Sequence, residues 1–299
     1  MARRRSALAV FWSGTRDVIS IVHSSHIEIF RAMIAAMRRL SIMKILPAAL
    51  LLLAVLASLP MAFAQPPASH INPAAQLSTA QIVGQIERHN RLRNERLEFY
   101  RSIRHYQVEY KGLSHVVAAM EVEASYDARS GKSFRVLSQS GSRGLCDKVL
   151  RRALEGEQEA AKSPASTALT SVNYTFTLVG EEPVAGRAAY VLEVEPRSGS
   201  KFLYRGRIWV DAAEFAVVRI SARPAQNPSF WISRTEIEQQ FAPQGEFWLP
   251  RHNRSETHVR IGGAAVFTID YGDYQIRSTD QPAAETVEGQ IPHASRDSR

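Results

Sequence analysis

The sequence predicts an α+β fold: a strongly curved antiparallel sheet, or an open barrel, with two helices packed on its concave face. Three observations lead there. Apolar residues recur at helical spacing in only two stretches after residue 77, while most of residues 106–276 alternates apolar and polar with period two. The strand-like runs, roughly nine to eleven of them, follow one another at short spacing, as in a meander. Two helices cannot supply the crossovers that a parallel sheet of this size needs.

Ahead of that domain lies an export leader. Lys44 gives a positive n-region, Ile45 to Leu59 an apolar core, Pro60 a helix break, and Ala62-Phe63-Ala64 a small-x-small cleavage site before Gln65. A core of about fifteen residues falls short of the roughly 20 that span a bilayer. Residues 43–64 therefore read as a signal peptide cleaved after Ala64, and the mature chain as a periplasmic, soluble protein. An uncleaved anchor is the alternative. Residues 1–42 read either as a start codon placed too early, with Met33, Met37 or Met43 as the true start, or as an extended n-region. Arg38-Arg39-Leu40-Ser41-Ile42 is a weak twin-arginine pattern. Gln65 rather than Cys stands directly after the cleavage site, so no lipid anchor is expected there.

The leader also explains the charge. The chain carries 37 Lys and Arg against 29 Asp and Glu, a net +8. Eight of those bases and two of those acids fall within residues 1–64, leaving 29 against 27 afterwards. Nucleic-acid binding, which the whole-chain balance would suggest, is thereby rejected.

The elements follow in order. Residues 65–77 are rich in Pro and Ala and read as a linker. Ser78 with Gln81 makes a capping box. From there to about Ile103 the pattern predicts one long helix, with Ile82, Val83, Ile86, Asn90, Leu92, Leu97 and Tyr100 near one side. Tyr106, Val108 and Tyr110 then alternate with polar residues, as do Met120, Val122, Ala124 and Tyr126. Arg129 to Lys132 is a turn, and Phe134 to Leu137 a third strand. A second helix is expected from about Leu145 to Ala161, with Val149, Leu150, Ala153 and Leu154 as its apolar side and Ser163-Pro164 as its stop. From Val172 onward nearly all is strand, with a turn expected at Glu181-Glu182-Pro183 and a hairpin at Gly262-Gly263. Residues 278–299 are polar and aperiodic and read as a disordered tail.

Reactive chemistry is sparse. Cys146 is the single cysteine, read as a small buried hydrophobe on the second helix. There is no G-x-S-x-G elbow and no H-E-x-x-H. His252, Glu256 and His258 share one strand parity, which reads as a wet polar face rather than a metal site. No catalytic residue, metal or cofactor is expected. Arg223 to Trp231 reads as a loop. Phe230 and Trp231 in it either tuck under the sheet's rim or form a lip that meets lipid or protein.

Two segments carry a family resemblance. Val184-Ala185-Gly186 through Tyr190-Val191-Leu192 to Pro196 is similar to a V-x-G-x-x-x-Y-x-L-x-x-x-P strand. Trp209-Val210-Asp211 followed by Phe215-Ala216-Val217-Val218-Arg219 is similar to a W-V-D…F-x-V-V-R hairpin. Both resemble the LolA/LolB-like lipoprotein-sorting group, which includes the RseB N-terminal domain, and the likeness covers residues 78–277. Read physically, Gly186 suits a positive-φ turn, Pro196 closes a strand, and Asp211 can tie the turn that follows it.

The resemblance implies a half-open β-barrel covered by a long N-terminal helix and a mid-chain helix, around an apolar cavity for acyl chains. The alternating face offers the lining: Tyr106, Val108, Met120, Val122, Tyr174, Phe176, Tyr190, Leu192, Phe267 and Ile269. The same residues serve equally as ordinary core under the helices. The carrier's partner-docking arginine has no single counterpart among Arg205, Arg207, Arg219 and Arg223. The leading expectation is a monomeric carrier or sensor of a lipoprotein acyl chain or other lipid, without catalysis. A regulatory domain like RseB, acting through envelope membrane-protein partners, is the alternative. An enzyme on envelope lipid or cell wall is a third.

Overall fold

The structure, a computed structural model, describes residues 77–112, 115–200, 202–226, 232–260 and 263–279. The leader, the linker before Leu77, Phe230 and Trp231, Gly262 and the tail beyond Thr279 lie outside these residues.

Eleven strands among the described residues form one antiparallel sheet: β1 (Leu97–Lys111), β2 (His115–Asp127), β3 (Gly131–Gly141), β4 (Tyr174–Val184), β5 (Arg187–Pro196), β6 (Tyr204–Asp211), β7 (Val217–Pro224), β8 (Ile232–Gln244), β9 (Phe247–Val259), β10 (Gly263–Tyr271) and β11 (Gln275–Ser278). Their order is β3-β2-β1-β10-β9-β8-β7-β6-β5-β4, with β11 paired to β1 off this path. The sheet does not close, since β3 and β4 stand at opposite ends. Every step but one is a sequence-adjacent hairpin. The exception is β1 with β10, which joins the first three strands to the long meander.

Helix α1 (Thr79–Arg96) begins on the expected capping box, with Ser78 Oγ accepting from the Gln81 backbone and the Gln81 side chain accepting from the Ser78 backbone. It ends seven residues before the expected stop. Leu97 is already extended, and Leu97 to Ile103 belongs to β1. Leu97 and Tyr100 fit a helical face by spacing, but they bury in the sheet with Tyr126, Phe247 and Leu249 instead. Leu92, assigned to the same helical face, is exposed. The period-two pattern starts earlier than Tyr106, because Ser102 and Arg104 occupy its inward positions and their polarity hides it.

Helix α2 spans 143–161 and holds a π segment, Cys146–Leu150, between α-helical Arg143–Leu145 and Arg151–Ala161. Cys146, Val149, Leu150, Ala153 and Leu154 bury into the sheet as expected. Burial pushes the Cys146 thiol up, with Asp147 adding to it. A short turn, Pro164–Ser166, follows the helix.

The β4–β5 connection corrects a second expectation. Glu181-Glu182-Pro183 is not a turn but the last part of β4, where Pro183 faces Ala188. The chain reverses at Ala185-Gly186, both with positive φ, 49° and 81°. That is the geometry of a tight two-residue hairpin turn. Proline suggested a turn three residues early because β4 is an edge strand, where the missing donor costs nothing. At the next hairpin Asp211 Oδ1 accepts from the backbone of Ala213 and Glu214, as its position after Trp209-Val210 led one to expect.

Candidate functional site

The sheet's register generates long rows of side chains on the face turned toward α2, the inner face. One row runs Met120, Tyr106, Ile269, Asn253, Gln239, Ile220, Ile208, Leu192, Leu178, from β2 across to β4. The next runs Ala118, Val108, Phe267, Ser255, Ile237, Ala222, Gly206, Val194, Phe176. Both are apolar at their ends; the first is polar in the middle at Asn253 and Gln239 on β9 and β8, the second at Ser255 on β9, with Ile237 beside it on β8.

The apolar ends form two separate beds. Tyr106, Val108, Met120, Val122, Phe267 and Ile269 pack with Cys146, Val149, Leu150 and Ala153 of α2. Tyr106 and Phe267 lie 6.2 Å apart, tilted. The second bed is built by β4 to β7 with Ile82 and Ile86 of α1, and takes in Phe241 of β8 and Trp248 of β9. It takes in Tyr174 and Leu192, with half-buried Phe176 and Tyr190 at its margin. Tyr174 contacts Phe176 and Tyr204, and Tyr190 stacks on Phe215 at 6.2 Å. The ten residues selected from sequence thus divide six to four between two beds. Ile208 and Ile220, which continue the second bed toward the centre, were not among them.

Between the beds lies a strip of Thr235, Ile237 and Gln239 on β8 and Asn253, Ser255 and Thr257 on β9, all buried. Thr235 and Thr257 bond to one another at 3.2 Å. Gln239 is wholly buried, yet neither its amide nitrogen nor its amide oxygen meets a partner among the described residues; the Ser255 hydroxyl is in the same condition. Such groups are uncommon in folded proteins, because an unmet buried polar group costs about 1–3 kcal/mol. Sequence reasoning missed the strip because β9 is polar on both faces, Asn253, Ser255 and Thr257 alternating with Arg254, Glu256 and His258.

A second buried polar group sits beneath α2, and it is bonded. Glu157 of α2 accepts from Arg104 Nη1 at 3.1 and 3.2 Å and from Lys132 Nζ at 2.6 Å. Arg104 lies 4.9 Å over the Tyr271 ring and 5.8 Å from that of Phe134. Burial alone would favour the neutral acid, but Lys132 and Arg104 hold the Glu157 carboxyl below its usual range. Burial likewise opposes the Arg104 charge, and the Glu157 carboxylate outweighs it, holding the guanidinium well above its usual value. Arg104 Nε, the Ser102 hydroxyl and the Tyr271 hydroxyl at its margin have no partner among the described residues. Residues 104, 132 and 157 are too distant in sequence to be associated by spacing.

The outer face is largely polar and paired, with Val191 and Trp209 buried on it. Arg205, Arg207 and Arg223 line an open groove of about 770 Å³ with Glu193, Glu195, Glu238 and Arg254. Arg205 pairs with Glu195 and Arg219 with Glu238. His252 meets Asp270 at 2.6 Å and His258 meets Glu256 at 3.2 Å. Among the described residues no three His, Cys, Asp or Glu gather as a metal site. No helix of the described residues is long and apolar enough to cross a membrane.

Residues 128–222 match the family model of the MucB/RseB N-terminal domain. No curated protein matches the chain. Among solved structures, a DUF1329 family protein from Desulfovibrio piger is 14% identical with a TM-score of 0.37, covering 65% of this chain and 91% of that one. A LolA superfamily protein from Nitrosomonas europaea is 12% identical with a TM-score of 0.34, covering 69% and 96%. The MucA/MucB complex from Pseudomonas aeruginosa gives 14% identity and a TM-score of 0.18, covering 58% and 89%. The resemblance to the LolA-like and RseB-like group read from residues 184–219 thus coincides with the segment that the family model matches.

Proposed function

We propose that this chain is a cell-envelope protein that binds the acyl chain of a lipoprotein or another lipid, and carries or senses it without catalysis. The sheet acts as a strongly curved half-open barrel, with α1 and α2 as partial covers and the two apolar beds as its lining. The observation that carries the reading is the separation of those beds. One inner face holds two hydrophobic clusters with buried, unmet polar atoms between them, where a finished core would be continuous. Hydrocarbon in water carries a cost of about 0.8 kcal/mol per CH₂, so an exported acyl chain gains by lying on such a face. The leader at residues 43–64 supports delivery to the periplasm.

The test is organic extraction of the protein purified from the envelope fraction, followed by mass spectrometry. A bound acyl lipid near one equivalent is the expected result; a lipid-free protein that also fails to displace a fluorescent acyl probe overturns the reading.

A second reading rests on the family match over residues 128–222: regulation through contact with an envelope protein, MucB having been solved in complex with MucA. Capture of a membrane-protein partner by lipid-free protein would favour it over the carrier.

A further inference from the structure

We propose that Gln239 and Ser255 form a hydrogen-bonding site for a neutral secondary amide flanked by two hydrocarbon arms, the chemistry of an N-acylated amine; this rests on the acyl-binding reading above. The six strip residues include no ionisable side chain. A charged head group there would be desolvated without a counter-charge, so the group the strip accepts is neutral. Gln239 offers a donor and an acceptor side by side, both buried and unmet. An ester brings only acceptors and would leave Gln239 Oε1 unsatisfied. A trans secondary amide brings an N–H for that oxygen and, on its opposite side, a C=O to which the hydroxyl of Ser255, the diagonal neighbour of Gln239 across β8 and β9, can donate.

The rows set the arms. From Gln239 the same row passes to Ile220, Ile208 and Leu192 on one side. Beyond Asn253 it passes to Ile269 and Tyr106 on the other. Neighbouring strands lie about 4.8 Å apart. Hydrocarbon therefore meets an apolar bed within one or two strands of the polar centre in either direction. A single-tailed ligand with a terminal head group at Gln239 would run toward only one of the two beds.

Three probes of matched length separate the possibilities: N-octyl octanamide, its isostere octyl octanoate, and heptadecane. Each would be delivered from cyclodextrin to the protein purified from cells, with binding read by displacement of a fluorescent acyl probe. The amide is expected to bind about tenfold tighter than the ester, the equivalent of about 1.4 kcal/mol. Gln239→Leu is expected to erase that preference while keeping heptadecane affinity, and Ser255→Ala to reduce the preference in part. Equal affinity for all three probes in the unaltered protein, as when water satisfies the strip, overturns the proposal and leaves acyl binding standing. So does an amide preference that survives Gln239→Leu. Failure of all three to bind overturns the acyl-binding reading as well.

Discussion

Two buried polar regions share the inner face; both have unmet atoms, but only one is built on matched charges. Beneath α2 the charges are matched: Glu157 is held by Arg104 and Lys132. On β8 and β9 the amide of Gln239 and the hydroxyl of Ser255 are held by nothing among the described residues. A polar group that is bonded inside a protein specifies packing, since removing one partner strands the other. A polar group left unmet is a standing cost to the fold, tolerated where it serves a ligand. The first region fixes the helix to the sheet, and the second is where binding is expected.

The comparison is broken most directly by substitutions of opposite sign. Glu157→Gln strands two buried cations and is expected to cost about 3–5 kcal/mol in denaturant unfolding. If its midpoint stays within error of the unaltered protein, the network is not structural. Leu150→Ala, in the bed that α2 covers, should lose about 3 kcal/mol by cavity formation, with the slope unchanged. Lys132→Met removes a hydrogen bond but leaves the Arg104–Glu157 pair neutral as a whole, so a smaller loss of about 2 kcal/mol is expected. Gln239→Leu exchanges an unmet amide for hydrocarbon and should leave stability unchanged or raise it by about 1 kcal/mol. A large loss there would show that Gln239 is bonded and structural, and would erase the contrast.

The pH dependence sharpens the same point. The Glu157 carboxyl is held below its ordinary range in the folded chain. Its contribution is therefore complete at neutral pH and is lost as pH falls below the ordinary glutamate value of about 4.3 and through the folded one. Thermal midpoints of the unaltered protein should drop across that acid window. Those of Glu157→Gln should drop less, the difference being the contribution of this one group. Parallel curves would assign the acid sensitivity elsewhere.

What the sequence disclosed, and what it withheld, follows the range of each interaction. Strands whose two faces differ, such as Tyr106-Val108-Tyr110 and Met120-Val122-Ala124, announced themselves through period two. The capping box at Ser78 and Gln81 marked a helix start to the residue. The end of α1 was not visible, because Leu97 and Tyr100 satisfy both periods and only the pairing of β1 with β11 and β2 decides between them. The turn at Ala185-Gly186 was half legible: Gly186 suited its positive φ, while Pro183 signalled a second turn that lies instead within an edge strand. The second apolar bed was half legible: Tyr174, Phe176 and Leu192 alternate locally, but Ile208 and Ile220 join them only through register. The strip was not legible at all, since Asn253, Ser255 and Thr257 look like surface until β10 and β8 close over their flanks.

The central claim, that hydrocarbon lies along this inner face, is tested most directly by photolabelling with an acyl chain bearing a diazirine, followed by peptide mapping. The account expects covalent adducts on inner-row residues of both beds, such as Tyr106 and Phe267 on one side and Leu192 and Ile220 on the other, competed away by unlabelled lipid. Adducts confined to outer-face positions such as Arg207 and Arg254, or labelling that unlabelled lipid does not reduce, would contradict it.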